Sequence, residues 1–185
     1  MTMSDIADRY RRVATEFTAR VRAVPDGAWE NPAPCEGWVA RDVIRHLVEW
    51  MPGLYFESAG LPAPDIPPPD DDPVAAWLAL DRALQAALED PDVATRGFDS
   101  PMGPTTVEQI IDMTGTPDVL VHTWDLARAT GQDERLLADE VHRVYESSLP
   151  YDQALRDSGH YGPKVVVPEE ADEQTKLIAF TGRQP

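Results

Sequence analysis

The sequence is 185 residues long and 42% hydrophobic, and its 16 Lys and Arg against 33 Asp and Glu give a formal net charge of -17. One domain with a sizeable core, spanning 1–185, is expected at that length, and the negative charge argues against nucleic acid or an anionic membrane as a partner. No apolar run approaches the ~20 residues of a membrane span, the start MTMSDIADRYRRV lacks a signal-peptide h-region, and the single cysteine, Cys35, can form no internal disulfide, so a cytoplasmic, reducing setting is expected.

In chain order, Ser4 is the expected cap of a first helix running to about Val24, since Ile6, Tyr10, Val13, Phe17 and Val21 recur at three- and four-residue spacing. Pro25, Asp26 and Gly27 break it, and AWENPAPCEGW reads as an irregular loop. A second helix is expected over about Val39 to Ser58, kinked or interrupted at Pro52 and Gly53, with Val43, Ile44, Leu47, Val48 and Met51 on its buried side. His46 sits at the edge of that side. Asp42 and Glu49 lie further round, Glu49 facing water or pairing with Arg45. LPAPDIPPPDDDP reads as a stiff, exposed crossover whose charges are solvated. Val74, Trp77, Leu78, Leu80, Ala83, Leu84 and Leu88 mark a third helix, closed by Asp90 and Pro91, and ATRGFDSPMGP follows as a turn-rich loop. Thr105 or Thr106, with Glu108 or Gln109 three residues on, offers a capping box for a fourth helix. Gly115 and Pro117 interrupt or kink that helix, unless Thr116 and Pro117 start a fresh one.

The stretch TPDVLVHTWDLARATG, Thr116 to Gly131, carries a polar stripe that solvent does not explain. At about 100° per residue, Asp118, His122 and Asp125 share one narrow sector flanked by apolar residues on both sides. A helix apolar nearly all round should be mostly buried, and buried carboxylates are costly unless paired or bound to metal. Beyond Gly131, a C-cap, EVHRVYESSL forms a shorter helix holding Val141, Val144, Tyr145 and Leu149. An extended segment at Val165 to Val167 leads into a short helix from about Ala171 to Phe180 that packs Leu177, Ile178 and Phe180 onto the body.

The expected architecture is therefore an antiparallel helical bundle with one long crossover, a fold that builds metal sites from facing helices. His46 on the second helix and the acid–imidazole pair Asp118 and His122, one turn apart on a single face, are the candidate ligands. Three ligands leave a position open, as in zinc sites that do chemistry, and iron(II), nickel or manganese also suits such a set. Each helix in fact reads D-x-x-x-H-x-x-acid, Asp42/His46/Glu49 and Asp118/His122/Asp125, so a dimetal carboxylate site is an alternative, as is a metal-free core in which the buried groups satisfy each other.

PCEGWVARDVIRHLVEW, DVLVHTWDLARATGQ and YGPKVVVPEEADEQTKLIAFTGRQP resemble the actinobacterial DinB/YfiT-like metal-binding proteins related to the N-terminal domain of mycothiol-dependent maleylpyruvate isomerase. The HTWDLARATGQ block and the GP-x-V-x-VP tail are the most specific parts. The resemblance implies an all-α, DinB/YfiT-like four-helix bundle with a short C-terminal helix and extended tail segment, holding one divalent ion, typically zinc, at His46, Asp118 and His122. Asp118 stands where the isomerase has glutamate, Val39 where the family often has a capping threonine, and Gly115 and Pro117 fall in a helix that is usually continuous. The sequence matches the isomerase only over the bundle, so the maleylpyruvate reaction itself is not expected to transfer.

On this reading an open metal site stabilises the thiolate of a low-molecular-weight thiol, mycothiol, which attacks a small electrophile in S-transfer or isomerisation. Asp125 either fixes an imidazole or carries a proton behind the metal, or pairs with Arg128 on the surface. Cys35 is a buried loop cysteine or a redox partner of the thiol. Trp38, Trp50 and Trp124 line the mouth of the site or belong to the core, and His142 and His160 show no partner pattern. The rival is a non-catalytic metal-binding or small-ligand-sensing module, dimeric through its helices. A cavity of a few hundred cubic ångströms beside an open coordination position separates the two.

Overall fold

Helical periodicity becomes four long helices packed in a ring. The structure, a computed structural model, describes residues 5–185, so the expected cap Ser4 lies outside the described residues. Helix α1 (Asp5–Arg22) buries Tyr10, Val13, Phe17 and Val21 along one stripe. Helix α2 (Ala40–Pro52) buries Val43, Ile44, Leu47, Val48 and Met51, and Asp42 accepts from the Val39 backbone N–H at 2.8 Å, half of a capping box because Val39 has no side-chain acceptor. The crossover follows; Asp70 pairs with Arg45 and Asp72 caps α3 (Pro73–Glu89), so two of the charges expected to be merely solvated have local partners.

After the short α4 (Pro91–Ala94), the segment expected to be a loop is a hairpin of β1 (Gly97–Ser100) and β2 (Gly103–Thr106), paired antiparallel from Gly97 with Thr106 to Ser100 with Gly103. Gly103, at φ 103, closes its two-residue turn, and Phe98 packs on the core. The sequence hides this hairpin because the strands lack apolar alternation. Thr106 and Gln109 then form the capping box of α5 (Val107–Ile110), which runs through a π turn into α6 (Thr116–Thr130), ended by Gly131 in the left-handed region. Gly115 keeps helical dihedrals, so Thr116 does not start a fresh helix.

Helix α1 lies against α3 and α6, and α2 against the same two, so α2 and α6 are neighbours and α1 and α2 are diagonal. Helix α7 (Ala138–Ser148) buries Val141 and Val144 but leaves Leu149 exposed, because the chain turns there into a 3-10 turn and α8 (Asp152–Asp157), which were not anticipated. The tail runs extended past Val165 to α9 (Glu173–Phe180), capped by Asp172 and docked through Leu177, Ile178 and Phe180. Among the described residues no helix is long and apolar enough to cross a membrane.

Both π turns, 53–57 after α2 and 111–115 before α6, stand at the α2/α6 contact, and Tyr55 Oη and Thr114 Oγ1 hydrogen-bond across it at 2.7 Å. A Cβ on Gly115 would meet Tyr55 Oη at 2.7 Å, whereas one on Gly53 meets nothing within 4 Å. Gly115→Ala is therefore expected to lower stability by about 1–3 kcal/mol through overpacking, while Gly53→Ala leaves it equal or raises it by about 0.5–1 kcal/mol. Urea denaturation of the two variants checks the contrast.

Candidate metal centre

Because α2 and α6 are neighbours, His46 faces Asp118 and His122. His46 Nε2 lies 3.2 Å from Asp118 Oδ2, and His122 Nε2 lies 3.4 Å from Asp118 Oδ1. The two imidazole centroids are 4.9 Å apart. Adjacent ligands of a tetrahedral zinc ion at about 2.0–2.1 Å are separated by about 3.3 Å, close to the two separations from Asp118, and one donor atom from each of the three residues lies within 4.8 Å of the others. His46 and Asp118 are 33% and 28% exposed, while His122 is 4% exposed, which leaves the solvent side open.

Helix α6 is buried over most of its length, as its two apolar flanks require: Val119 to Ala127 are all buried. Asp125, fully buried, bonds His122 Nδ1 at 2.7 Å and takes a two-pronged contact from Arg183, Nε to Oδ1 at 2.7 Å and Nη2 to Oδ2 at 2.8 Å. Burial favours the neutral acid, but the His122 hydrogen bond and the Arg183 charge outweigh it and hold Asp125 below the usual carboxylate range. An ionised Asp125 only accepts, so His122 carries a proton on Nδ1 and turns Nε2 toward Asp118. Burial likewise works against charge on Asp118 and His122. Their mutual attraction prevails, lowering the Asp118 pKa and lifting His122 to about 9.

The alternative pairing of Asp125 with Arg128 does not form. Arg128 forks onto Glu134 and lies 4.4 Å over the Trp124 ring instead. Trp124 belongs to the core, whereas Trp38 and Trp50 wall the centre: Trp38 is 5.2 Å from the His46 ring and stacked 5.9 Å from that of His122, and Trp50 is 6.0 Å from His46. Among the described residues the buried Trp50 Nε1–H has no hydrogen-bond partner. Asp42 bonds the Val39 N–H and Arg45, and Glu49 is exposed, so neither joins a second cage. Cys35 is half-buried, with Sγ 3.8 Å from Asp125 Oδ2 and 3.4 Å from Arg183 Nη2, and burial, then the Asp125 charge, push its thiol up to about 12. His142, for which the sequence shows no partner pattern, bonds Glu173 at 2.9 Å. Cavities of about 450 and 260 Å³ lie elsewhere, one beside Tyr145, Glu146 and Glu173 and the other beside Thr18 and Asp81.

Arg183 is the residue that sequence reasoning missed. It stands 58 positions from Asp125, beyond the last helix, where no periodicity marks it.

A helical bundle that brings two imidazoles and a carboxylate together across adjacent helices defines a DinB-like class. Residues 10–127 match the mycothiol maleylpyruvate isomerase N-terminal domain, and the chain belongs to that family. It is 29% identical over 178 residues, covering 94% of this chain and 95% of the relative, to each of two uncharacterized proteins of Mycobacterium tuberculosis, MT0763 (strain CDC 1551 / Oshkosh) and Rv0738 (strain ATCC 25618 / H37Rv). No solved structure matches significantly. The matched residues include His46, Asp118, His122 and Asp125 but stop short of Arg183.

In metal-stripped protein His122 is expected to stay protonated until about pH 9, against an ordinary value of about 6.5. A raised imidazole pKa stabilises the fold fully below the ordinary value, and the contribution is lost as pH rises through the raised one. The stripped protein should lose stability between roughly pH 6.5 and 9, and histidine ¹⁵N spectra should show His122 titrating at the upper end of that window, moving lower in Asp125→Asn.

Proposed function

We propose that the protein, as a single cytoplasmic domain over 1–185, holds one divalent ion at His46, Asp118 and His122 and uses it to bind mycothiol for S-transfer to, or isomerisation of, a small electrophile. The observation that carries this reading is the convergence of three donors from two helices at 3.2 and 3.4 Å, with the solvent side open. It occurs in a family described by a mycothiol isomerase domain. Zinc fits the donor set best, and nickel, iron(II) and manganese are accommodated by the same chemistry. When bound, the ion supplies the charge that keeps a coordinating thiol deprotonated near neutral pH.

The chain's own residues do the rest. Asp125 accepts from His122 Nδ1 and thereby presents Nε2 as the ligand atom. Being fully buried and committed to Arg183, it orients the imidazole and does not shuttle protons. Trp38 and Trp50 exclude water beside His46 and offer flat apolar surface to the body of a small substrate. A thiolate held at His46, Asp118 and His122 would form a carbon–sulfur bond to the electrophile, with the electrophile's own leaving group departing in S-transfer and the thiolate itself expelled again, after addition, in an isomerisation. Cys35 does not take the nucleophile's part, since burial keeps it a thiol.

Elemental analysis of protein purified without a histidine tag is expected to find about one divalent ion per chain, and His46→Ala and His122→Ala each to lose it while remaining helical by circular dichroism. Metal-free protein that cannot be loaded with zinc, nickel, iron(II) or manganese overturns the reading. A loaded protein that neither binds nor consumes mycothiol leaves a metal-binding or ligand-sensing module in place of the enzyme.

A further inference from the structure

His122 belongs to two sets of donors. On its Nε2 side are His46 and Asp118; on its Nδ1 side Cys35 Sγ and Asp125 lie within 4.8 Å of it, a thiol, an imidazole and a carboxylate that could also hold an ion. By softness alone the second set is the more attractive to zinc, because a thiolate outranks an aspartate for that metal.

A guanidinium already occupies that second set. Arg183 sits with Nε and Nη2 on the two oxygens of Asp125 and with Nη2 at 3.4 Å from Cys35 Sγ, and its side chain is only 12% exposed. The tail delivers it rigidly. Gly182, at φ 94, passes so close to Gly162 that a Cβ would meet the Gly162 Cα at 2.7 Å, and Arg156 bonds both the Gly162 carbonyl and, at 2.8 Å, the Phe180 carbonyl. The guanidinium cannot give up its proton, so the positive charge is permanent.

We propose that Arg183 is a specificity-determining residue: a resident cation that fills the Cys35–Asp125 side of His122 and confines a divalent ion to the His46–Asp118 side. The inference rests on the proposed metal site and adds that the tail selects which face of one imidazole the ion takes. Removing the charge frees Cys35 and Asp125 as ligands, and a thiolate then enters the coordination sphere.

Cobalt(II) reports this directly, because a thiolate ligand adds a sulfur-to-cobalt charge-transfer band in the near ultraviolet that imidazole and carboxylate do not. Wild-type protein is expected to take up about one cobalt per chain without that band, and Cys35→Ser to bind it within about twofold of wild type. Arg183→Met should gain the band, and adding Cys35→Ser in the same background should abolish it, whereas Arg183→Lys, which keeps a cation, should retain the wild-type spectrum. If Arg183→Met does not fold, Arg183→Gln, neutral but still able to hydrogen-bond Asp125, carries the same comparison. A band in the wild type, a loss of cobalt affinity beyond about tenfold in Cys35→Ser, or a folded, cobalt-loaded neutral variant without the band overturns the inference and leaves the proposed function standing. A wild type that takes up neither cobalt nor any of zinc, nickel, iron(II) and manganese overturns both.

Discussion

A helix that is apolar on nearly every side can carry carboxylates only if countercharge reaches them, since an unpaired buried charge costs several kcal/mol. Helix α6 carries one fully buried at Asp125 and one partly buried at Asp118, and the answer is a row of alternating charge: Asp118, His122, Asp125, Arg183. Each member makes sense only with its neighbour. Arg183 holds Asp125 ionised, Asp125 keeps a proton on His122 Nδ1, and His122 then directs its second nitrogen at Asp118.

That row imposes demands on distant parts of the fold. Its cationic end comes from the tail, so the tail must be docked, which is the work of α9, of Arg156 on α8 and of the close passage of Gly182 over Gly162. The start of α6 is fixed from the opposite side. Arg9 on α1 bonds Glu140 of α7 at 2.6 Å, and it also bonds the side chain and carbonyl of Asp112 inside the π turn, tying that turn to the helices around it. The π turn, Gly115 against Tyr55 and the Tyr55–Thr114 bond together bring α6 close to α2 one turn ahead of Asp118. Such turns often mark functional positions, because they re-aim side chains without ending a helix.

What could be read in the sequence followed from distance along the chain. Asp118, His122 and Asp125 are placed by one helical period, and His46 by the edge of an apolar stripe, so convergence across a bundle needed only that α2 and α6 be neighbours. Val43, Leu47 and Met51 lie inward for the same reason. Arg183 had no such signal: a lone arginine after a glycine near the C-terminus carries no period, and its partner is fixed only when the tail docks. The hairpin was hidden because Gly97–Ser100 and Gly103–Thr106 are paired by turn geometry, not by an apolar face. Leu149 follows helical spacing yet stays exposed because α7 gives way there to a tighter turn, a tertiary choice that periodicity cannot anticipate.

The shape of the candidate centre also limits what can be brought to it. Its inner side is sealed by Arg183, Asp125 and Cys35, and its flanks by the rings of Trp38 and Trp50, so the open direction is the one on which His46 and Asp118 are about a third exposed. The larger cavity, near α7 and α9, does not include these residues. A ligand therefore approaches from that open, aromatic-walled side. Holding such a molecule then depends on one strong anchoring contact, and within that face the convergence of His46, Asp118 and His122 is the feature able to provide it.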